Sequence, residues 1–281
     1  MKSPVDIVYR PRGRFGSNHI GSHPSNEVGG FGVFRDQAPF LRHPDARRID
    51  IRASLRDPFE QIYVRRFEQR RSVDLYAVVD VSASMTFVGA CKKFSLVCEI
   101  CEALAYSATR VGDRFGLIAC DDAVREDLFL PATRSRSIAL GAAARLRAAI
   151  CAGRGAEGFI AAAASLGAAR KIAILISDFR WPSSLLEQVF DAFGPHDLAP
   201  LVILDSVEEA PPAWGLLELV DSESGRRQLV AMRPALRARW IERERERQSR
   251  IARLAANCSR PPIIIRDAFD PIALSQQLSA A

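Results

Sequence analysis

Short apolar runs alternate with longer amphipathic segments along the chain from residue 73 onward. Unbroken apolar runs predict buried strands, and such runs lie within residues 75–80, 116–122, 171–177, 198–204 and 261–267. Segments with a helical spacing of apolar positions separate them, at about 91–111, 135–150, 158–169, 181–193 and 234–257. Strands that alternate with helices form a mostly parallel sheet covered on both faces. The pattern therefore predicts a doubly wound α/β fold.

Two antiparallel pairs and a different N-terminal segment complete the predicted organisation. We expect EDLFLPA to pair with the strand at 116–122, and GLLELVDSESGRRQLVAM to form a hairpin. Residues 1–40 are rich in Gly, Pro, Ser and Arg, which favours loops, and residues 47–67 alternate apolar and charged positions, which favours short strands. The predicted division is an irregular N-terminal arm with short strands over residues 1–72 and an α/β domain over residues 73–281.

The basic excess of the chain lies in its N-terminal quarter. The formal net charge is +6, and residues 1–72 alone carry 13 Arg and one Lys against eight acidic residues. Arginine favours bidentate contacts with carboxylates or phosphates. The arm is therefore solvated or paired within the chain, or it binds an acidic protein, or it binds nucleic acid through Arg10, Arg12 and Arg14. It lacks the interleaved aromatic and glycine pattern of an RNA-binding platform, which disfavours nucleic acid.

Apolar run lengths and cysteine positions indicate the compartment. No run approaches the roughly 18 apolar residues of a membrane-spanning helix, and the start MKSPVDIVYRPRGRFG lacks the apolar region of a secretory signal. The six cysteines are scattered through predicted helices and strands, at 91, 98, 101, 120, 151 and 258. We expect a cytoplasmic protein with reduced thiols. Cys98 and Cys101 form a CxxC, but their spacing places both on one helical face, which favours core packing over zinc binding.

Oxygen-bearing side chains cluster where the first strand of the α/β domain ends. In LYAVVDVSASMTF, Asp80, Ser82 and Ser84 alternate directly after the apolar run, and ILISDFRW ends a second strand with Ser177 and Asp178. Turn chemistry alone accounts for such residues. Open parallel sheets, however, bind ligands at the carboxyl ends of strands, and two carboxylates brought together there need a positive charge. Mg²⁺ accepts carboxylate and hydroxyl oxygens, so a metal site is the sharper prediction.

The order of these motifs resembles two known families. DVSAS followed downstream by ISD resembles the metal-ion-dependent adhesion site of von Willebrand factor A-type domains, which are doubly wound and Rossmann-like. The upstream segment resembles a bacterial MoxR-associated family catalogued as a domain of unknown function, DUF58. Its signature here is RIDIRAS, from Arg48 to Ser54, with Ile51 where tryptophan is usual. The resemblance covers about residues 40–275.

The resemblance implies a set of metal ligands. The implied ligands of Mg²⁺ or another divalent cation are Asp80, Ser82, Ser84 and, through water, Asp178. The family's third element is a threonine in a glycine-rich loop, but the loop here is GRGAEGF and Ala156 stands in the threonine's place. We expect Glu157 to compensate as a ligand. The rival expectation is that Arg154 folds in and replaces the cation with a guanidinium.

The resemblance implies a binding protein without enzymatic activity. We expect Asp80 and Asp178 to converge on a positive centre that a visiting protein reaches. The implied role is that of an adaptor that works with a MoxR-type AAA+ ATPase on a client protein, and related arginine-rich members point to methanol dehydrogenase maturation. Two alternatives are a nucleic-acid binder that uses the arm and a metal-dependent phosphoester hydrolase with Asp80 as nucleophile. The hydrolase would want a second carboxylate where Ser82 stands.

Overall fold

The chain divides into two units in a computed structural model that describes residues 5–13, 15, 20–29, 33–220, 225–258 and 260–280. One unit is Arg14–Val73, and the other consists of Met1–Gly13 with Asp74–Ala281. The first thirteen residues are thus part of the α/β unit, whereas the predicted division places them in the arm.

The smaller unit contains a three-stranded antiparallel sheet, a 3-10 turn over Ala46–Arg48 and a short α-helix. Its strands are β1 (Ile20–Gly29), β2 (Val33–Pro39) and β3 (Tyr63–Arg71), in the order β1-β3-β2. The RIDIRAS segment forms the short helix α1 (Ile51–Ser54) instead of the predicted strand. The reason is local, because the Asp50 carboxylate accepts a hydrogen bond from the Ala53 N–H at 3.2 Å and caps the turn.

The larger unit contains the predicted doubly wound α/β sheet. Its strands are β4 (Asp74–Asp80), β5 (Arg114–Cys120), β6 (Leu130–Thr133), β7 (Ile172–Ser177), β8 (Asp197–Leu204) and β11 (Ile263–Arg266). They lie in the order β11-β8-β7-β4-β5-β6, all parallel except β6, which pairs with β5 in the antiparallel sense predicted from EDLFLPA. The chain winds outward in opposite directions from β4 and from β7. These two neighbouring strands therefore form the switch point at which such sheets bind ligands.

Helices flank this sheet, and a separate hairpin stands apart from it. The helices are α2 (Lys93–Arg110), α3 (Arg136–Leu146), α4 (Gly158–Leu166), α5 (Ser183–Phe193), α6 (Ser206–Glu209), α7 (Pro234–Cys258) and α8 (Pro271–Ser279). The predicted hairpin consists of β9 (Gly215–Val220) and β10 (Arg227–Met232). Helix α8 is absent from the prediction, although Asp270 before Pro271 is a recognisable helix start whose carboxylate caps Ile272 and Ala273.

Helix α2 explains the CxxC. Cys98 and Cys101 are free thiols buried on its inner face, as core packing requires.

Among the described helices, none is both long enough and apolar enough to cross a membrane.

The segment before residue 14 is tied to the larger unit through its backbone. The Arg10 N–H donates to the Leu278 carbonyl at 3.1 Å, and the Arg12 N–H donates to the Asp197 carboxylate at 2.8 Å. Arg14, the third arginine considered for phosphate contacts, lies outside the described residues.

Candidate functional site

An aspartate ends, or directly follows, every parallel strand of the large sheet. In sheet order these residues are Asp267, Asp205, Asp178, Asp80 and Asp121. All but Asp267 are buried, and because the carboxyl ends of parallel strands share one edge, the carboxylates line that edge. Of these five aspartates, only Asp80 and Asp178 were predicted from the sequence as site residues. The signal for the others was present, since ACD, ILD and IRD each end an apolar run.

Asp80 is held by neutral donors at the switch point. Its Oδ1 accepts the Ser82 N–H at 2.9 Å, and its Oδ2 accepts the Ser177 hydroxyl at 2.5 Å and the Trp181 indole N–H at 3.3 Å. The hydroxyl oxygens of Ser82 and Ser84 lie 3.1 Å apart. The alternating motif therefore brings a carboxylate and two hydroxyls together on one short loop.

Asp80 is fully buried, which disfavours its charged form. Desolvation, followed by the charge of Asp178, raises the pKa of Asp80 to about 6. In the part of the chain that the structure describes, no lysine or arginine forms an ion pair with Asp80. A positive charge beside Asp80 would therefore stabilise its ionised form.

Asp178 obtains its positive charge from Lys93. The Lys93 ammonium lies 3.1 Å from Asp178 Oδ2, and neither side chain has exposed surface. Burial acts to raise the pKa of Asp178, but the charges of Lys93 and Arg180 outweigh it, so the pKa lies below its ordinary value. Arg154, which the rival expectation places in the site, is exposed.

Lys93 is a functional residue that sequence reasoning missed. It is the first residue of α2, where a positive charge opposes the helix dipole, and it also contacts Glu208 and lies 5.4 Å from the centre of the Phe87 ring. The available signal was that Lys92 and Lys93 are adjacent lysines in a chain whose cations are otherwise nearly all arginine. Asp178 is thus committed to an internal ion pair.

The glycine-rich loop lies directly beside the motif. The Ala83 N–H donates to the Gly153 carbonyl at 3.0 Å, and Gly153 forms an isolated parallel bridge with Ser82. A Cβ at position 153 would lie 2.2 Å from the Cβ of Asp121, so only glycine permits this close approach.

The two loop residues expected near the cation have other surroundings. Ala156 is buried in the apolar core, and Glu157 is exposed, with its carboxylate accepting the Ala156 N–H at 3.0 Å. Within the described residues, Glu157 forms no hydrogen bond with Asp80, Ser82 or Ser84. Two thiols lie within electrostatic range of Asp80. Burial and then the Asp80 charge raise the pKa of Cys151 to about 12, and the same two causes raise the pKa of Cys120.

The site is less open than the sequence leads one to expect. Asp80, Ser82 and Asp178 are buried, and Ser84 is the partly exposed member of the set. Trp181 accounts for part of this cover, because its indole both donates to Asp80 and packs on Phe159, with ring centres 4.7 Å apart. Within this set, Ser84 is therefore the residue that solvent reaches.

A second group of possible ligands lies further along the same edge. The ligand atoms of Cys91, Asp205 and Asp267 lie within 4.8 Å of one another. Backbone contacts account for much of this arrangement, since Asp205 accepts the N–H groups of Cys91 and Val207, and Asp267 accepts that of Ser206. Burial and the Asp205 hydrogen bond raise the pKa of Cys91 to about 11, so its thiol is protonated at neutral pH.

The donor set at Asp80 fits a small, hard divalent cation. One carboxylate and two neighbouring hydroxyls are oxygen ligands of the kind that Mg²⁺ and Mn²⁺ accept while keeping several waters. Asp80 also forms no ion pair with any lysine or arginine among the described residues. With a single charged ligand we expect weak affinity, with a Kd on the order of 0.1–1 mM.

Metal titration tests this fit. We expect an ion concentration of 10–100 times Kd to raise the free energy of unfolding by roughly 1.4–2.7 kcal/mol, and Asp80→Asn to abolish the increase. Thermal and urea unfolding with Mg²⁺ or Mn²⁺ would measure it. Asp205→Asn is the matched control, because it removes a strand-end carboxylate of the second group. Equal stabilisation of the wild type and Asp80→Asn would exclude Asp80 as a ligand.

Comparisons with known proteins match most of the chain. The family model described as "Protein of unknown function DUF58" matches residues 42–250. An uncharacterized protein of Mycobacterium tuberculosis H37Rv is 25% identical over 236 residues, which are 82% of this chain and 73% of the relative. An uncharacterized protein in the moxR 3′ region of Paracoccus denitrificans is 36% identical over 97 residues, which are 34% of this chain and 92% of the relative.

A von Willebrand factor type A protein from Catenulispora acidiphila is similar in structure, with a TM-score of 0.44 and 16% identity. The similarity covers 75% of this chain and 42% of that one.

Proposed function

This chain belongs to the family described as "Protein of unknown function DUF58", as its RIDIRAS signature indicated, and from that premise we propose that it is a non-enzymatic adaptor. It binds protein partners at the sheet edge around Asp80. The observation that carries this proposal is the buried Asp80 carboxylate, which has three neutral hydrogen-bond donors and no cationic partner among the described residues. Such a group is suited to holding a cation for a ligand to complete.

The residues around Asp80 have two different roles in the proposed binding. Asp80, Ser82 and Ser84 would hold the divalent cation, which supplies a positive charge for a carboxylate of the partner. Ser177 and Trp181 orient the Asp80 carboxylate through their hydrogen bonds.

Lys93 and Ser84 influence how a partner carboxylate reaches the cation. Lys93 neutralises Asp178, so that two adjacent negative charges do not oppose the approach of another carboxylate. Ser84, as the partly exposed member, marks the side from which the partner arrives.

The chemistry around the site favours binding over hydrolysis. A nucleophile needs a base within hydrogen-bond reach, and the Ser82 hydroxyl is paired with that of Ser84. His196 precedes β8 and so lies at the opposite end of the sheet from Asp80. The nearby Cys151 thiol, with its pKa of about 12, is protonated at neutral pH.

The proposed partner is a MoxR-type AAA+ ATPase. The support is the relative in the moxR 3′ region of Paracoccus denitrificans, together with the MoxR-associated family resemblance in the sequence. The adaptor would bring the ATPase to a client protein, for which the sequence resemblance points to methanol dehydrogenase maturation.

Co-purification tests the proposal. In the presence of Mg²⁺ we expect the full chain to retain a MoxR-type ATPase from the same organism, and Asp80→Ala to reduce the retained amount about tenfold or more, since one charged contact at a binding site is worth several kcal/mol. Asp205→Asn serves as the control, and circular dichroism checks that each variant is folded. Undiminished retention by Asp80→Ala would overturn the proposed role of this site.

A further inference from the structure

The RIDIRAS segment has an outward face that the Asp80 site does not use. Ile51, Leu55 and Phe59 are 67%, 81% and 79% exposed, and Ile51 and Leu55 are four residues apart, on one side of the α1 turn. Arg52 and Arg56 are also exposed, again four residues apart. No ion pair engages either arginine within the described residues. Large apolar side chains and unpaired arginines are therefore displayed together.

The inward face of the same segment has a structural explanation. Asp50 accepts hydrogen bonds from Gln37 and from Arg65, each at 2.8 Å. The Ser54 hydroxyl donates to the Asp50 carbonyl at 2.8 Å and accepts the Tyr63 N–H at 2.9 Å. These contacts fix α1 and its cap residue Asp50 to the strands β2 and β3. They explain Asp50 and Ser54, but they leave the outward side chains without a structural role, on a turn that is already rigid for binding.

A polar pocket of about 650 Å³ adjoins this face. Its charged lining consists of Arg52, Arg56, Arg65, Asp50 and Asp57, three cations against two carboxylates. Asp50 is neutralised by Arg65 and its pKa lies far below the ordinary value, chiefly through the Arg65 hydrogen bond. Asp57 accepts the backbone N–H groups of Phe59 and Gln61. The two unpaired guanidiniums of Arg52 and Arg56 thus face the pocket as sites for added carboxylates.

We propose that this α1 surface, defined by Ile51, Arg52, Leu55, Arg56 and Phe59, binds an acidic and apolar segment of a partner protein. Carboxylates of that segment pair with Arg52 and Arg56, while its apolar side chains cover Ile51, Leu55 and Phe59. The charge complementarity extends beyond the surface, since Arg14–Val73 contains 11 arginines against seven acidic residues. Arginine and aromatic side chains are also the groups that dominate protein interfaces.

The exposed apolar side chains of the α1 surface favour a protein partner over a nucleic acid. Phosphates pair with arginine but gain nothing from exposed Ile51 and Leu55, whereas a peptide with both carboxylates and leucines uses the whole surface. The binding needs no cation and is independent of the Asp80 site. It can therefore be tested in EDTA, which removes the divalent cation that the Asp80 site would need. The α1 proposal and the Asp80 proposal can then fail independently of each other.

Fluorescence anisotropy with a designed peptide tests this surface on the full chain. The probe is a labelled helical peptide of about four turns, with glutamates on one face and leucines on the other, at low salt in EDTA. We expect Arg52→Glu with Arg56→Glu to weaken binding about tenfold or more. We expect Ile51→Ser with Leu55→Ser to weaken it about fivefold or more, through lost apolar burial. Arg243→Glu with Arg250→Glu on α7 makes the same charge change elsewhere, and we expect less than about a twofold effect.

Two comparison probes complete the test. The same peptide with its leucines replaced by serine is expected to bind the wild type about fivefold more weakly or worse. A single-stranded oligonucleotide of equal charge is expected to bind more weakly than the peptide and to be insensitive to Ile51→Ser with Leu55→Ser. Equal weakening by the α7 control pair would overturn the proposal, as would an oligonucleotide that binds as tightly as the peptide.

Discussion

Arg260→Ala is expected to lower the free energy of unfolding of the larger unit by about 3–5 kcal/mol, the cost of leaving a buried charge without its partner. The Arg260 guanidinium donates to both oxygens of Asp197 at 2.8 and 2.7 Å, and the two side chains are 2% and 0% exposed. It also donates to the Leu278 and Arg10 carbonyls. One side chain therefore joins β8, the C-terminal helix α8 and the segment before residue 14.

Urea unfolding of the full chain would measure this loss. Arg110→Ala is the matched control, because Arg110 forms an equally short pair with Asp6 at 2.6 Å but on the surface, with both partners well exposed. Removing an exposed pair costs only about 0–1 kcal/mol. Equal losses for the two variants would show that Arg260 does not hold these three elements together.

Lys93→Met is expected to cost about 3–5 kcal/mol as well, since it keeps the apolar stem of the side chain but leaves Asp178 without its buried cation. Arg180 also stabilises the Asp178 charge, but its Nε lies 3.9 Å from Asp178 Oδ2, so we expect it to replace Lys93 only in part. With Lys93 gone, Asp178 and Asp80 would be two carboxylates on neighbouring strands, and Arg180 would offset only part of the Asp178 charge. The pKa of Asp80, already raised by the Asp178 charge, should then rise further.

The double variant separates the charge effect from general damage to α2. Asp178→Asn removes the charge that Lys93 neutralises, so Lys93→Met with Asp178→Asn should recover a substantial part of the loss in a double-mutant cycle. Purely additive losses would mean that Lys93 contributes through packing alone. Urea unfolding is again the measurement.

The fold of the larger unit was largely predictable from the sequence, because its strands are long apolar runs separated by helical patterns. The apolar runs before Asp80 and Asp178 placed β4 and β7 correctly, and the sheet order brings those two strands together. The smaller unit was predicted less well. Alternation in RIDIRAS favoured a strand, but a single capping contact from Asp50 turns the segment into a helix.

The surroundings of the candidate site were less predictable, because they depend on contacts between distant segments. The sequence required a positive charge near Asp178 but could not show that Lys93, 85 residues earlier, provides it. Nor does the motif reveal that the Trp181 indole binds Asp80. The sequence also could not show that the Glu157 carboxylate, predicted as a ligand, accepts the N–H of the preceding residue, Ala156.

The most direct test of the central claim is the affinity of the full chain for a MoxR-type ATPase, measured in millimolar Mg²⁺ and in EDTA. We predict that the wild type binds about tenfold or more tightly in Mg²⁺ than in EDTA, since a charged contact then depends on the cation. Asp80→Asn, which keeps the shape of the side chain, should bind weakly in both. Equal dissociation constants for the wild type and Asp80→Asn, in Mg²⁺ and in EDTA alike, would contradict the account.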